Sequence, residues 1–233
     1  MSRRIAIGDI HGCLKTFRTL VEDRLQLGKS DVLFLIGDFI DRGPDSKGVL
    51  DYLDTLSGAG YNISAVMGNH EEMLLDSLKD ERFLEEWIYN GAESTLNSFG
   101  IDTGLFISVD SVKEIHQHYT DLITNLPYYI KLEDYFIVHA GFNFYIDNPF
   151  EDKQSMVWTR DMQYDAEKSE GCAVIHGHTP VDLQTIKKQA GNPEPGLINI
   201  DGGCVYTHYP DLGNLVALDL DSREIIYQPN IEK

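Results

Sequence analysis

Cysteine is scarce in this chain, which has three cysteines among 233 residues: Cys13, Cys172 and Cys204. An odd number of cysteines without Cys-x-x-Cys spacing does not make the disulfide framework of a small secreted domain. We therefore expect free thiols and a reducing, cytoplasmic location.

Basic residues and long apolar runs are also few. The 19 lysines and arginines stand against 38 aspartates and glutamates, which gives a formal charge of −19 at pH 7. Such a charge repels nucleic acid and anionic membrane surfaces, and no basic run offers them a local patch. The apolar stretch Ile5–Ile7 is too short for a signal sequence, and nothing approaches the ~20 apolar residues of a membrane span. We expect neither nucleic acid nor membrane as a partner.

The first third of the chain repeats a strand followed by a helix three times. Alternating strands and helices predict a parallel sheet with right-handed crossovers, in which ligands bind beyond the carboxyl ends of the strands. The predicted strands are Arg4–Ile7, Val32–Ile36 and Ile63–Val66, and the helices after them are Leu14–Leu27, Ser46–Leu56 and Glu71–Leu78.

The rest of the chain changes pattern twice. Residues 80–126 have helical spacing, and we expect a helical cap inserted in a single domain that spans residues 1–233. Short strand patterns follow, with a hairpin loop at Gln189–Gly196, and they predict a mostly antiparallel second sheet. The expected fold is α/β, a sandwich of two mixed sheets flanked by helices. The later strands are predicted at Tyr128–Leu132, Tyr135–Val138, Ala173–Ile175, Leu183–Lys187, Leu197–Ile200, Leu215–Leu220 and Ile225–Gln228.

Five short motifs contain residues that bind metal or phosphate, and the first three each follow a predicted strand. Each motif alone has an ordinary reading as a helix cap, a turn or a hydrogen-bonded structural histidine. Their occurrence together, in order and at strand ends, favours a site that hydrolyses phosphate esters. The motifs are Gly-Asp-Ile-His-Gly at 8–12, Gly-Asp-Phe-Ile-Asp-Arg-Gly at 37–43, Gly-Asn-His-Glu at 68–71, His-Ala-Gly at 139–141 and His-Gly-His-Thr at 176–179.

Individual residues in these motifs suit particular roles. Asp9 and His11 point to the same side of an extended segment and can reach one ion. Asp38 follows an apolar strand, and since a buried carboxylate without a partner is costly, a cation is its natural partner. Arg42 offers a planar fork of donors to phosphate oxygens. Arg160 is a weaker candidate for a second phosphate contact, because it also reads as a surface arginine beside a core tryptophan.

The ordered set of motifs resembles the PPP family of metallophosphoesterases, and in size its bacterial and phage branch. The resemblance spans residues 8–179 and implies a β-sandwich with a dinuclear metal site at strand ends. It implies that His70 is the general acid oriented by Asp41, and that Arg42, Arg160 and Asn69 contact the phosphate. The implied ligands are Asp9, His11 and Asp38 for one ion, and Asp38, Asn69, His139 and His178 for the other.

The chemistry expected of such a site is direct hydrolysis by a hydroxide that bridges two divalent ions. Ligands of mixed carboxylate, amide and imidazole type suit Mn²⁺, Fe²⁺ or Zn²⁺ and oppose Ca²⁺. We expect Mn²⁺ to be the activator in vitro. No cysteine or serine lies where a covalent phosphoenzyme would require one.

The substrate is open to three readings. A serine/threonine protein phosphatase that also accepts phosphotyrosine comes first, because Asp41–Arg42 is intact and the net charge opposes a polyanion. The second is a symmetrical hydrolase of dinucleoside polyphosphates such as diadenosine tetraphosphate. The third, from another class, is a catalytically silent metal-binding scaffold, which the full set of candidate ligands opposes.

Overall fold

The structure is a computed structural model that describes residues 2–104 and 107–232. The strands are β1 Arg4–Ile7, β2 Val32–Leu35, β3 Asn62–Ala65, β4 Tyr129–Lys131, β5 Tyr135–Val138, β6 Ala173–His176, β7 Leu197–Asn199, β8 Asn214–Asp219 and β9 Ile225–Pro229. The helices are α1 Leu14–Thr19, α2 Ser46–Gly58, α3 Asn69–Ser77, α4 Glu81–Tyr89, α5 Ala92–Ser98, α6 Val109–Val112, α7 Gln117–Thr124, α8 Lys153–Trp158 and α9 Leu183–Ala190, and a π-helical segment, Leu20–Arg24, continues α1.

The first sheet has the strand order β3-β2-β1-β8-β9. β1, β2 and β3 are parallel, as predicted, and β8 and β9 add to them in antiparallel fashion. Parallel strands place their carboxyl ends at one edge of the sheet, so the first three motifs meet there.

The second sheet has the order β4-β5-β6-β7 and corrects two predictions. Only β4 is antiparallel to its neighbour, whereas β5, β6 and β7 are parallel, so the expected mostly antiparallel sheet is wrong. The segment predicted as the strand Leu183–Lys187 is helix α9, which Asp182 caps by accepting a 2.9 Å hydrogen bond from the Thr185 amide. Helix α9 is part of the crossover between the parallel strands β6 and β7. The segment Gln189–Gly196 therefore contains the end of α9 and the link to β7, and it is not the predicted hairpin loop.

The two sheets form the expected sandwich. In β1, Ala6 faces the second sheet and packs with residues such as Ile137 and Ile175, while Ile5 and Ile7 face the helices. This alternation follows from the two-residue period of a strand. The second sheet buries its other face under an aromatic cluster that contains Phe136 and Phe142.

The helical segment α4–α7 packs onto the helix-covered face of the first sheet. Leu84, Trp87, Leu96 and Ile123 belong to the same buried cluster as Ile5. Residues 105 and 106 of the predicted cap lie outside the described residues, and the cap's status as an insertion within one domain stays a prediction. Among the residues described, no helix has the length and apolar character that a membrane span requires. The three cysteines are buried free thiols.

Candidate metal and phosphate site

The loops at the carboxyl ends of the strands hold their polar residues in an unusual backbone conformation. Of the eight non-glycine residues with positive φ in the described chain, five belong to the predicted site. Such angles cost free energy outside glycine and persist where surrounding contacts enforce them, often at functional sites. These five are His11 (φ 47°), Asp38 (52°), Asp41 (71°), Arg42 (68°) and His178 (68°).

Asp38 lies at the centre of the site and is 1% exposed. One of its carboxylate oxygens, Oδ2, lies 3.5 Å from His11 Nε2 and 3.9 Å from His70 Nε2. The other, Oδ1, lies 3.4 Å from His139 Nε2. The two oxygens thus face different imidazoles, which is the geometry that a carboxylate bridging two ions requires.

Backbone hydrogen bonds fix the tautomers of two of these histidines. Nδ1 of His11 donates to the Ile40 carbonyl, and Nδ1 of His139 donates to the Ile36 carbonyl, each at 2.9 Å. Burial lowers the pKa of both imidazoles, which favours their neutral form. With the proton on Nδ1, the lone pair on Nε2 points towards Asp38, as a metal ligand must.

Asn69 brings a third type of ligand into the site. Its Oδ1 lies 2.9 Å from His139 Nε2 and 3.0 Å from His178 Nδ1. In neutral His139 this nitrogen is an acceptor, so two lone pairs face each other. Within the described residues, Asp9 Oδ1, His70 Nε2 and His178 Nε2 are also buried without a hydrogen-bond partner. Oxygen and nitrogen lone pairs that converge in this way fit divalent cations.

The candidate ligands fall into two groups that share Asp38. Ligand atoms of His11, Asp38 and His70 lie within 4.8 Å of one another, and so do those of Asp38, His139 and His178. The second group contains three of the four residues predicted for one ion, and Asn69 is the fourth. In the first group His70 stands where Asp9 was predicted, although Asp9 is buried nearby and its Oδ2 accepts a 3.1 Å bond from the His178 amide. The ligand role of Asp9 stays a prediction.

His70 also lies within hydrogen-bond distance of Asp41. Its Nδ1 donates to Asp41 Oδ2 over 2.6 Å, and both side chains are fully buried. Nε2 therefore points into the site, towards Asp38.

The two arginines lie near different histidines of the site. Arg42 Nη1 donates to His11 Nε2 at 2.8 Å, and its guanidinium lies 5.7 Å from the centre of the Tyr206 ring. This bond uses the nitrogen that an ion would take, so an ion held by His11 would compete with Arg42 for it. Arg160 is exposed at the rim, where its charge helps to lower the pKa of His178 to about 3, after the larger effects of burial and His139.

Two buried carboxyl groups at the site had no predicted role. Glu71 accepts hydrogen bonds from the amides of Asp38 and Phe39, each at 2.8 Å, and of Gly68 at 3.2 Å, so it joins two motif loops. Its place inside the third motif was the available signal. Asp201 follows β7, accepts a 2.9 Å bond from the Gly203 amide, and contributes through its charge to the raised pKa of Asp9. The Asp-Gly-Gly sequence after a predicted strand was its only signal.

Comparison with known protein families gives a match over most of the chain. The family model for calcineurin-like phosphoesterases matches residues 2–212. This chain belongs to the calcineurin-like phosphoesterase family. Members of this family use a dinuclear divalent metal site, and this phosphoesterase has candidate ligands for one.

Two of the curated relatives of this phosphoesterase differ in the substrate that their names give. It is 33% identical over 115 residues to a symmetrical bis(5'-nucleosyl)-tetraphosphatase of Buchnera aphidicola, which covers 47% of this chain and 40% of the relative. It is 37% identical over 87 residues to serine/threonine-protein phosphatase 1 of Salmonella typhimurium, which covers 37% of this chain and 38% of the relative. The phosphoesterase thus spans well under half the length of these relatives.

A solved structure supports the fold. A protein serine/threonine phosphatase from Saccharomyces cerevisiae superposes with a TM-score of 0.63 over 97% of this chain and 79% of its own, at 15% identity. At that identity the likeness supports the fold of the phosphoesterase and says nothing about its substrate.

Proposed function

We propose that this phosphoesterase is a protein phosphatase that hydrolyses phosphoserine and phosphothreonine, and also phosphotyrosine, without a covalent intermediate. The observation that carries this choice is a cleft of about 150 Å³ beside the site. Its wall includes Trp158, whose ring centroid lies 6.2 Å from that of His178. The lining residues are Glu72, Met73, Asp76, Phe83, Glu86, Gln154 and Trp158.

The charge of the cleft favours a peptide over a polyphosphate. Glu72 accepts from two neutral donors, Trp158 Nε1 at 2.9 Å and the Tyr128 hydroxyl at 3.2 Å, so neither bond supplies a positive charge. Lys79 pairs with Asp76 at 2.6 Å, while Glu86 is exposed. A net negative cleft attracts cationic side chains that flank a phosphorylated residue and repels the remaining phosphates of a dinucleoside polyphosphate.

The proposed metal centre has two divalent ions, Mn²⁺ in vitro, with Fe or Zn also compatible with the ligand types. When bound, such ions activate water and offset the charge of the phosphate. We assign their binding to the residues of the predicted set: Asp9, His11 and Asp38 for one ion, and Asp38, Asn69, His139 and His178 for the other.

The remaining residues have roles of their own in the proposed reaction. His70, held by Asp41, protonates the leaving oxygen, an effect typically worth about 10²–10⁴-fold. In this proposal Arg42 and Arg160 donate to the phosphate oxygens, and Asn69 contributes a further polar contact.

A second candidate function is symmetrical hydrolysis of dinucleoside polyphosphates, and one observation favours it. Aromatic rings line the rim next to Arg42: Tyr206 lies beside the guanidinium, and the rings of His208 and Tyr209 lie 4.4 Å apart. Tyr209 is 53% exposed, so a nucleobase could stack there. The Buchnera relative supports the same reading.

The test compares both substrates directly. Initial rates with Mn²⁺ are measured on phosphopeptides with arginine or neutral flanks and on diadenosine tetraphosphate, with Asp38→Asn as the inactive control. We expect faster turnover of peptides and a lower KM for arginine flanks, with a ~2–5-fold smaller preference in Glu86→Gln, the range of an exposed ion pair. Cleavage of the dinucleotide with idle peptides replaces the proposal with the second candidate. Metal binding without turnover of any ester revives the silent scaffold.

A further inference from the structure

The Asp41 carboxylate accepts hydrogen bonds from two side chains in addition to His70. Its side chain is fully buried. Oδ2 accepts from Trp87 Nε1 at 2.7 Å as well as from His70, and Oδ1 accepts from the Thr95 hydroxyl at 2.6 Å. Trp87 lies in α4 and Thr95 in α5, so two helices from the segment without motifs reach the predicted catalytic pair.

The same segment holds the backbone of the Asp41–Arg42 turn. The Asp41 amide donates to Thr95 Oγ1 at 2.9 Å and to Ser46 Oγ at 3.0 Å. The Arg42 amide donates to the carbonyl of Gly91, the residue between α4 and α5, at 3.3 Å. A side chain at Gly91, whose φ is 107°, would place Cβ 3.0 Å from Arg42 Cγ. The turn therefore keeps its left-handed angles through contacts on several sides.

The Thr95 hydroxyl can bond the side chain and the backbone amide of Asp41 at the same time. A hydroxyl has one proton and two lone pairs, so Thr95 can donate to the carboxylate and accept from the Asp41 amide. Three donors to one carboxylate hold it in a single orientation. An oriented Asp41 binds the Nδ1–H of His70, so that in the doubly protonated ring the Nε2–H points into the site.

We propose that Trp87 and Thr95 are positioning residues for proton transfer, which act through Asp41 on His70. This inference rests on the proposed function, because it assumes that His70 protonates the leaving group. The effect should depend on the leaving group, since a poor leaving group needs its proton in the transition state and a good one does not.

The experiment uses the full chain with Mn²⁺ and the variants Thr95→Val, Thr95→Ser and Trp87→Phe, whose folding is checked by thermal melting. Thr124→Val is the matched control, because its hydroxyl bonds only the Thr120 carbonyl within α7. We expect kcat on alkyl phosphates to fall ~10–100-fold in Thr95→Val and Trp87→Phe, the range for partners that orient a functional residue, and far less on p-nitrophenyl phosphate. Thr95→Ser should restore the rate. In a His70→Ala background both losses should vanish. Equal losses on both substrates, or losses that persist without His70, overturn the inference.

A second readout needs neither metal nor activity. The short His70–Asp41 bond should give a downfield proton resonance in the metal-free protein, lost in His70→Ala. Removal of one donor to Asp41 should shift that resonance in Thr95→Val and Trp87→Phe, and leave it in place in Thr124→Val. An unmoved resonance contradicts the inference. A protein without phosphoesterase activity that shows the shift contradicts only the proposed function.

Discussion

The two ends of the first sheet treat their charges in opposite ways. At the amino end, Arg3 bonds Asp31 at 2.6 Å, and Arg4 pairs with Asp134 at 2.8 Å and Asp221 at 2.7 Å. Each of these three carboxylates has an arginine partner.

At the carboxyl end, the carboxylates crowd each other. Burial and the charges of Asp201 and Asp38 raise the pKa of Asp9, and burial raises that of Asp201 to about 7. Burial also opposes ionisation of Asp38, but the imidazoles around it outweigh burial and hold its pKa below the ordinary value. By contrast, the hydrogen bond from Arg3 lowers the pKa of Asp31 to about 2. Arginines balance carboxylates at the amino end of the sheet. At the carboxyl end, divalent cations would balance them.

Asp38→Asn should have the largest effect, because it removes the carboxylate shared by both ligand groups. We expect kcat to fall by on the order of 10³-fold or more, as when a central member of a catalytic unit is lost. Titration calorimetry should show loss of both equivalents of Mn²⁺. Asp31→Asn, at the other end, should keep the wild-type kcat and both equivalents. Full metal binding in Asp38→Asn would remove its bridging role.

His70→Ala should separate proton transfer from metal binding. With a poor leaving group we expect a ~10²–10⁴-fold loss of kcat, and a much smaller loss with p-nitrophenyl phosphate. Calorimetry should still show two equivalents of Mn²⁺. Because His70 Nε2 lies in the group with His11 and Asp38, loss of one equivalent would instead identify His70 as a ligand in place of Asp9.

Removal of metal should lower the free energy of unfolding, because the buried carboxylates at the carboxyl end of the first sheet then lack a cation. At a free Mn²⁺ concentration ~100 times the dissociation constant, binding at one site stabilises the fold by about 2.7 kcal/mol, so a chelator should lower Tm. In the metal-free state, Asp9→Asn should be more stable than wild type by about 1 kcal/mol, because burial and the charges of Asp201 and Asp38 disfavour the ionised form of Asp9. Equal or lower stability of the metal-free variant would contradict the comparison of the two ends.

The local parts of this arrangement were predictable from the sequence. β1–β3 and the residues at their ends follow from alternation of strand and helix and from glycines that flank each candidate ligand. Strand pairing in the second sheet depends on non-local contacts, and Leu183–Lys187 fits both a strand and a helix by spacing. Trp87 and Thr95 reach Asp41 across 46 and 54 positions, and neither lies in a motif. Contacts between residues so far apart in the sequence cannot be predicted from local sequence patterns.

The smallest effect should come from the amino end, through pH. The folded pKa of Asp31, about 2, lies below the unfolded value of about 3.9, so its stabilisation is present above pH 4 and is lost as pH falls towards 2. Since Arg3 is 37% exposed, solvent screening reduces the contribution to about 1 kcal/mol. Urea melts at pH 5 and pH 3 should show that Asp31→Asn lacks this part of the acid dependence. Asp134→Asn, whose pair is more exposed, should keep it, and kcat at pH 7 should change in neither variant. A loss of turnover in Asp31→Asn would mean that the two ends are coupled through the strands.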